Sequence, residues 1–305
     1  MVHRRHTEGR PGRRGTELPE VVFQPPAGTP AGLEVMPLAD FRARTRDWPW
    51  HIATPHRQDF HTLVLVTSGT LRHRVDFAGY VLQTGSWLWI RPGQVHQWQN
   101  PDQAEATMVL FQDDFVAPDT AELAGLGTSF GMPLYSPDAV EAQALAASAE
   151  QLAAEFSQRA RHPLPVHAAL LHRLLDVVLL RLARLRQSGP AEEATPEPFL
   201  RFRDAVEQGF TRTHRIDDYA RELGYAPRTL TRATQTAAGI SAKDYLDRRL
   251  LLEAKRLLAH GTDPAATVAT RLGFTSATHF GKFFQRHTGH TPLAFRATQR
   301  DRPSK

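Results

Sequence analysis

The chain contains no cysteine. That absence excludes disulfides, thiolate zinc sites, cysteine nucleophiles and iron–sulfur ligation together. Long apolar runs are missing as well: the longest, Leu174 to Leu180, is broken by Asp176 and is far too short to cross a bilayer. No apolar stretch follows the basic start, so a secretory leader is not expected and a cytoplasmic protein without membrane spans is the default reading. Lysine is scarce, four of 37 basic residues, which fits a GC-rich coding genome better than selection for arginine chemistry. What is present is a 305-residue chain, 41% apolar and 23% charged. That is neither disorder-like nor fibrous, and at about 150 residues per domain it has the length for two.

The net charge of +5 hides a division. Residues 1–198 hold 18 basic and 22 acidic side chains, net −4, whereas residues 199–305 hold 19 and 10, net +9. A basic C-terminal third on an acidic remainder is the footprint of a nucleic-acid-binding domain attached to something else.

Punctuation along the chain gives the organisation. The basic, Gly-containing start predicts a disordered tail over 1–16. From about Leu33 to Phe115, short apolar or alternating runs (HTLVLVTSG, LRHRVDF, YVLQTG, SWLWIRPG, ATMVLF) recur about every ten residues between turn signals, the pattern of a small barrel or sandwich over 17–136. Two Ala/Leu-rich helical patterns follow over 137–186, broken near His162, Pro163 and Pro165. In the second, Leu171, Leu174, Leu175, Val178, Leu182 and Leu185 form one continuous stripe. QSGPAEEATPEP, residues 187–198, reads as a linker. Residues 199–298 read as helical throughout, ahead of a short tail over 299–305.

The helical third repeats itself. YARELGYAPRTLTR, from Tyr219, lines up with VATRLGFTSATHFGK, from Val268, at an offset of 49 residues that becomes 50 after the turn. Each copy predicts a helix-turn-helix, over about 216–236 and 264–287. A small residue (Ala220, Ala269) permits a close helix crossing, and a glycine (Gly224, Gly273) ends the first helix. An apolar residue (Tyr225, Phe274) then packs the turn. Between the copies Ala242 to Leu258 reads as one helix of roughly 25 Å, apolar along Leu246, Leu250, Ala254 and Leu257, fit to hold two reading helices about one DNA turn apart.

LLLEAKRLLAHGTDPAATVATRLGFTSATHFGKFFQRHTGHTPLAFR resembles the signature of AraC/XylS-type transcriptional regulators, and YARELGYAPRTLTR resembles that family's first helix-turn-helix. The resemblance covers about Phe199 to Arg296. It implies a bacterial promoter-binding protein, more often an activator, with a sensor domain for a small-molecule effector, a dimer built by the segment over 137–186, and RNA polymerase as a further partner. Independently of the family, Leu230 and Ala233 face inward on the first reading helix, which puts Arg228, Thr231 and Arg232 on its outer face. Arginine suits guanine because its fork donates to both O6 and N7. On the second helix Thr278, Gly281 and Lys282 fall outward with His279 beside them. Ala277 and Gly281 offer no hydrogen bonds, so base discrimination is expected to rest on Arg228 and Arg232 while the second copy grips phosphate. Phe274, Phe280, Phe283, Phe284 and Phe295 are expected in the core.

All five tryptophans (Trp48, Trp50, Trp87, Trp89, Trp98) and five of the fifteen histidines fall within residues 48–98. GSWLWIRPGQVH, ending at His96, resembles the second motif of the cupin barrel, whose last histidine is a metal ligand in cupin enzymes. The first motif is defective: HRQDFH has His56, then Gln58 where a second His belongs, with His61 displaced and no Glu before Gly69. No metal and no cofactor are therefore expected, and the barrel is read, as the family resemblance implies, as a sensor with His56, His61, Trp87, Trp89, His96 and Trp98 as ligand-binding candidates. Trp87 and Trp89 share one strand face, Leu88 and Ile90 the other, and the sequence does not say which points inward. The stripe from Leu171 to Leu185 caps the barrel or pairs subunits. The expected fold is thus α+β and multidomain: a cupin-like β-barrel with two flanking helices, then an all-α domain with two helix-turn-helix motifs joined by a linker helix. The expected function is that of a sequence-specific, non-enzymatic regulator. The alternatives are a metal-dependent cupin enzyme with a DNA-binding tail and a ligand-independent DNA binder.

Overall fold

The computed structural model describes residues 18–24, 32–48, 50–127, 133–158, 164–186 and 196–300. The tail expected over 1–16, residues 301–305, and all but the last three residues of the expected linker lie outside them. The chain divides into two compact units. Among the described residues no helix is long and apolar enough to cross a membrane.

The N-terminal unit is a curled sheet of nine strands, a half-barrel with most of its helices on one face. Its strands are β1 (Glu20–Val21), β2 (Leu33–Pro37), β3 (His56–Gln58), β4 (His61–Val75), β5 (Ala78–Gln83), β6 (Trp87–Ile90), β7 (Val95–Trp98), β8 (Ala104–Phe111) and β9 (Leu134–Tyr135). The curl is built into β4. HTLVLVTSG and LRHRVDF, which read as separate strands, form one 15-residue strand whose first half pairs antiparallel with β6 and β8 and whose second half pairs with β5 and β7. The bend falls at the register shift between Val66 and Ser68. Gly69 follows at φ +80°, where a Cβ would stand 2.3 Å from the Gln103 carbonyl oxygen, so only glycine lets the strand turn against that neighbour.

Helix α1 (Leu38–Thr45) interrupts the strand-rich half, a feature its sequence concealed. Only Leu38, Phe41 and Thr45 are buried, at helical spacing, and the arginines between them blur the pattern. Three further helices follow: α2 (Pro118–Ala124), α3 (Ala139–Ser157), N-capped by Asp138, and α4 (Leu164–Arg186). The stripe on α4 packs within its own unit. Leu171, Leu175, Val178 and Leu182 are fully buried, and Leu174 and Leu185 partly so, against α3 and a sheet face that carries Leu63, Leu65, Trp87, Trp89, Val109 and Phe111. Each such leucine contributes about 1.5–3 kcal/mol of burial, enough to fix the helix on the sheet. Leu88 and Ile90 point the other way, into the concave side with Val64, Leu110 and Trp98. All four residues of β6 are therefore buried.

The C-terminal unit is all helical: α5 (Glu197–Gly209), α6 (Ile216–Leu223), α7 (Pro227–Ala238), α8 (Ala242–His260), α9 (Ala265–Arg271), α10 (Ala277–Thr288) and α11 (Pro292–Arg300). Helix α5 begins at Glu197, so Glu197 and Pro198, read as linker, belong to its first turn, where proline's missing donor does no harm. Helix α8 starts on Ser241, whose hydroxyl accepts the Asp244 N–H. Its 19 residues span about 28 Å. Leu246, Leu250 and Ala254 line its buried face with Leu258, whereas Leu257, which the spacing also placed there, is only half-buried. Phe280 and Phe284 are fully buried, Phe295 nearly so, and Phe274 and Phe283 pack beside them.

Candidate DNA interface and sensor core

Helices α6 and α7, and again α9 and α10, form two helix-turn-helix pairs. The second helix of each starts on a residue suited to a first turn. Pro227 opens α7, and the Ser276 hydroxyl accepts the His279 N–H at the start of α10. On α7, Leu230, Ala233 and Thr234 are buried, which drives Arg228, Thr231 and Arg232 outward, all exposed. On α10, Phe280 and Phe284 are buried while Thr278, His279 and Lys282 are exposed. A Cβ at Gly281 would meet nothing within 4 Å. Gln235 and its repeat partner Gln285 lie on the same outer faces, one turn beyond Arg232 and Lys282. Reading the sequence missed them, although the 50-residue offset points to both. Glutamine fits the N6/N7 edge of adenine.

The electrostatics favour phosphate. Neither α7 nor α10 carries an acidic residue, and Arg228, Arg232 and Lys282 make no hydrogen bond or ion pair within the protein among the described residues. The acids of this unit are engaged elsewhere: Glu207 with Arg249, Asp247 with Lys243, Glu253 with Arg249 and Arg256. The two motifs are also locked together. The His214 Nε2–H donates to the Leu272 carbonyl at 2.8 Å, and Gly273, at φ +78°, lies so close to the turn before α6 that a Cβ would stand 1.9 Å from the Thr211 oxygen. Spacing between the reading helices is thereby fixed at a second point besides α8.

The six ligand candidates of the N-terminal unit separate into two groups. His61, Trp87 and Trp89 lie on the helix-packed face. The Trp89 indole N–H donates to His61 Nδ1 at 3.0 Å, which leaves the His61 Nε2–H to donate to Asp113 at 2.8 Å. Burial holds His61 below the ordinary imidazole range despite that carboxylate. His56, His96 and Trp98 lie on the concave side and meet two residues not singled out as candidates, Gln58 and His73. The Gln58 amide donates to the Phe60 carbonyl and to the Thr62 hydroxyl, both 2.8 Å, so its oxygen must accept the His96 Nε2–H at 3.1 Å. His96 Nδ1 then accepts the His73 Nε2–H at 3.1 Å, and His73 Nδ1 ends the chain as a buried acceptor with no donor. The His56 ring packs on that of His96, with centroids 4.1 Å apart and planes tilted by 57°, and donates from Nδ1 to the Thr54 carbonyl. Packed out of water and beside one another, the imidazoles stay neutral: burial pushes His56 down to about 4 and His73 to about 3, and His96 lies well below its ordinary range. Among the described residues no group of three or more His, Cys, Asp or Glu is arranged to hold a metal. The chamber beside His56, Gln58 and His96 holds only about 10 Å³, room for one water at most.

Two family profiles match this chain: an AraC-like ligand binding domain over residues 38–175 and a helix-turn-helix domain over residues 219–298. The chain belongs to the AraC family of transcriptional regulators. The first profile lies on the half-barrel and its helices, the second on the two reading motifs, so AraC-family membership assigns effector binding to one unit and DNA binding to the other. The family is one of regulators, not enzymes. Its members here include the HTH-type transcriptional activator RhaS of Shigella dysenteriae, 27% identical over 92% of this chain and 97% of its own length. RhaS of Klebsiella pneumoniae is 26% identical over 79% and 86%. Among solved structures, ToxT from Vibrio cholerae aligns over 80% of this chain and 91% of its own, at 11% identity and a TM-score of 0.39.

Proposed function

We propose that this AraC-family protein is a cytoplasmic, ligand-responsive transcriptional activator that binds promoter DNA as a homodimer and acts on RNA polymerase bound beside it. The observation that carries the DNA-reading part is the acid-free outer face presented twice, with Arg228, Thr231 and Arg232 on α7 and Thr278, His279 and Lys282 on α10. Arg228 and Arg232 read guanine edges, and the poorer second helix grips phosphate. That RhaS proteins are named transcriptional activators supports the sign of regulation.

The dimer reading rests on α4. Its inward stripe is committed to the core, but Val166, Leu170, Val177 and Leu180 are 59%, 47%, 42% and 39% exposed on the opposite side. With Arg173 and Arg184 they recur at alternating steps of four and three, the seam that one helix offers to a second copy of itself.

The test is fluorescence anisotropy on a site selected from random duplexes by the purified protein. Arg232→Ala is expected to weaken the selected site roughly 5- to 150-fold, equivalent to about 1–3 kcal/mol, and to leave random DNA nearly unchanged. Equal losses on both would leave Arg232 a phosphate contact only. A protein that selects no sequence at all would overturn the reading.

A further inference from the structure

The closed chamber is not the only recess of the N-terminal unit. A cleft of about 530 Å³ opens beside it, between the end of α1, the side chains of Trp48, Trp50, His51 and Ile52, and the turn at Pro101 and Asp102. This is the size of a small-molecule site, whereas the chamber is not. Its apolar wall is Trp48 and Trp50, both only half-buried, with ring centroids 4.6 Å apart.

The polar groups of the cleft are unequal. Arg42 is a strap across its floor: it donates to the Pro101 carbonyl at 2.7 Å and lies 3.4 and 3.6 Å from Asp102 and Glu105, which neutralise it. The Thr45 hydroxyl donates to the Arg42 carbonyl. His51 Nδ1 accepts the Ala53 N–H, so the hydrogen on its ring sits on the other nitrogen, Nε2. Arg46 is exposed and makes no side-chain hydrogen bond or ion pair among the described residues. What the cleft has to offer is therefore chiefly donors, the Arg46 fork and His51 Nε2–H, with Arg46 its cation outside any ion pair among the described residues. Its one carboxylate, on Asp102, is committed to Arg42 and 88% exposed, so water screens it.

We propose that this cleft is the effector seat, and that it takes a small anion carrying a flat apolar ring, a carboxylate or a phosphate monoester, with the ring on Trp48 and Trp50 and the anionic oxygens on Arg46. The assignment rests on the effector-binding role of this unit and names the class of effector. The uncommitted donors, Arg46 and His51, favour a group that accepts, and arginine holds a carboxylate or a phosphate by paired hydrogen bonds. The seat touches the histidine chain directly. Trp48 is a wall of both cleft and chamber, and the Trp50 ring lies 4.7 Å from that of His56, which packs against His96. A ring bound on the two tryptophans presses on that contact.

Isothermal titration calorimetry of the full chain with phenylacetate, phenyl phosphate and the neutral phenylacetamide tests this. The two anions are expected to bind at least about 10-fold more tightly than the amide, a ratio that Arg46→Gln abolishes while an unchanged melting temperature shows the fold intact. Trp50→Phe is expected to keep binding and Trp50→Ala to weaken all three probes. Equal affinity for amide and anion, insensitivity to Arg46→Gln, or no binding of either anion up to about 10 mM overturns the proposal. Operator binding measured on the same samples separates the two readings. If the protein selects an operator and the anions do not bind, the cleft assignment falls and the regulator stands. If the anions bind as described and no operator is selected, the cleft stands and the regulator falls.

Discussion

Acidification from pH 7 to pH 5 should destabilise the N-terminal unit by several kcal/mol through its buried imidazoles. In the unfolded chain His56 and His73 take up a proton near 6.5, but in the folded unit they do so only near 4 and 3, because protonation there would bury an unpaired charge. Between those limits the unfolded state holds more protons. Stability is therefore complete well above pH 6.5 and falls as the pH drops through it, until the folded groups titrate. At pH 5 the unfolded imidazole is about 97% protonated and the folded one almost neutral, which costs about 2 kcal/mol per residue relative to pH 7, or about 4 kcal/mol for the pair. His96 and His61 shift in the same direction and add to it. Asp113 is held below the ordinary carboxylate range, so its contribution is lost only at lower pH. Domain stabilities run from about 5 to 15 kcal/mol, so the effect is a large fraction of the whole. Urea unfolding followed by tryptophan fluorescence isolates this unit, because all five tryptophans belong to it. The midpoint should fall sharply from pH 7 to pH 5, while the folded protein's His56, His73 and His96 ring resonances stay fixed over the same range. An unchanged midpoint, or ring signals that titrate near 6.5 in the folded state, would refute the neutral chain.

Three further outcomes follow from geometry. Gly273→Ala places a Cβ against the Thr211 carbonyl at a backbone angle that side chains resist; it should cost about 2–4 kcal/mol in thermal unfolding of the helical unit and weaken DNA binding in proportion, and wild-type stability would show that the two motifs are not locked there. Gly281→Ala has open space for its methyl and should raise helical stability by about 1 kcal/mol in the same assay, with a drop in stability counting against the exposed placement of α10. Leu170→Glu combined with Val177→Glu should convert a dimer to a monomer in analytical ultracentrifugation at unchanged melting temperature; a dimer that survives would place the interface elsewhere.

How much of the site was legible depended on how local its causes are. The helix-turn-helix pairs could be read because each is set by neighbours within about twenty residues: a glycine stop, a small residue at the crossing, a proline or serine start. Their outer faces follow from the 3.6-residue period alone, which is why Arg228, Arg232 and Lys282 could be placed in advance. The sensor could not be read this way. His73 joins His96 across 23 residues and Gln58 joins it across 38, contacts set by strand register rather than by spacing. Helix α1, with its three buried residues scattered among arginines, was hidden for want of a continuous apolar stripe.

By itself, then, the sequence determined the class of molecule: a charge-divided chain without thiols, a strand-rich half, and a duplicated basic motif whose outward-facing residues sit at fixed helical offsets. These are properties of composition and short-range geometry, and no tertiary contact can undo them. Tertiary structure decided which faces are used. It turned Trp87 and Trp89 toward the helices and His56 and His96 toward the concave side, committed the Leu171 to Leu182 stripe to the core, and left Val166, Leu170, Val177 and Leu180 outside. An alternating strand offers two equivalent faces and a helix rich in leucine offers more than one stripe. Only the element packed against each breaks the tie.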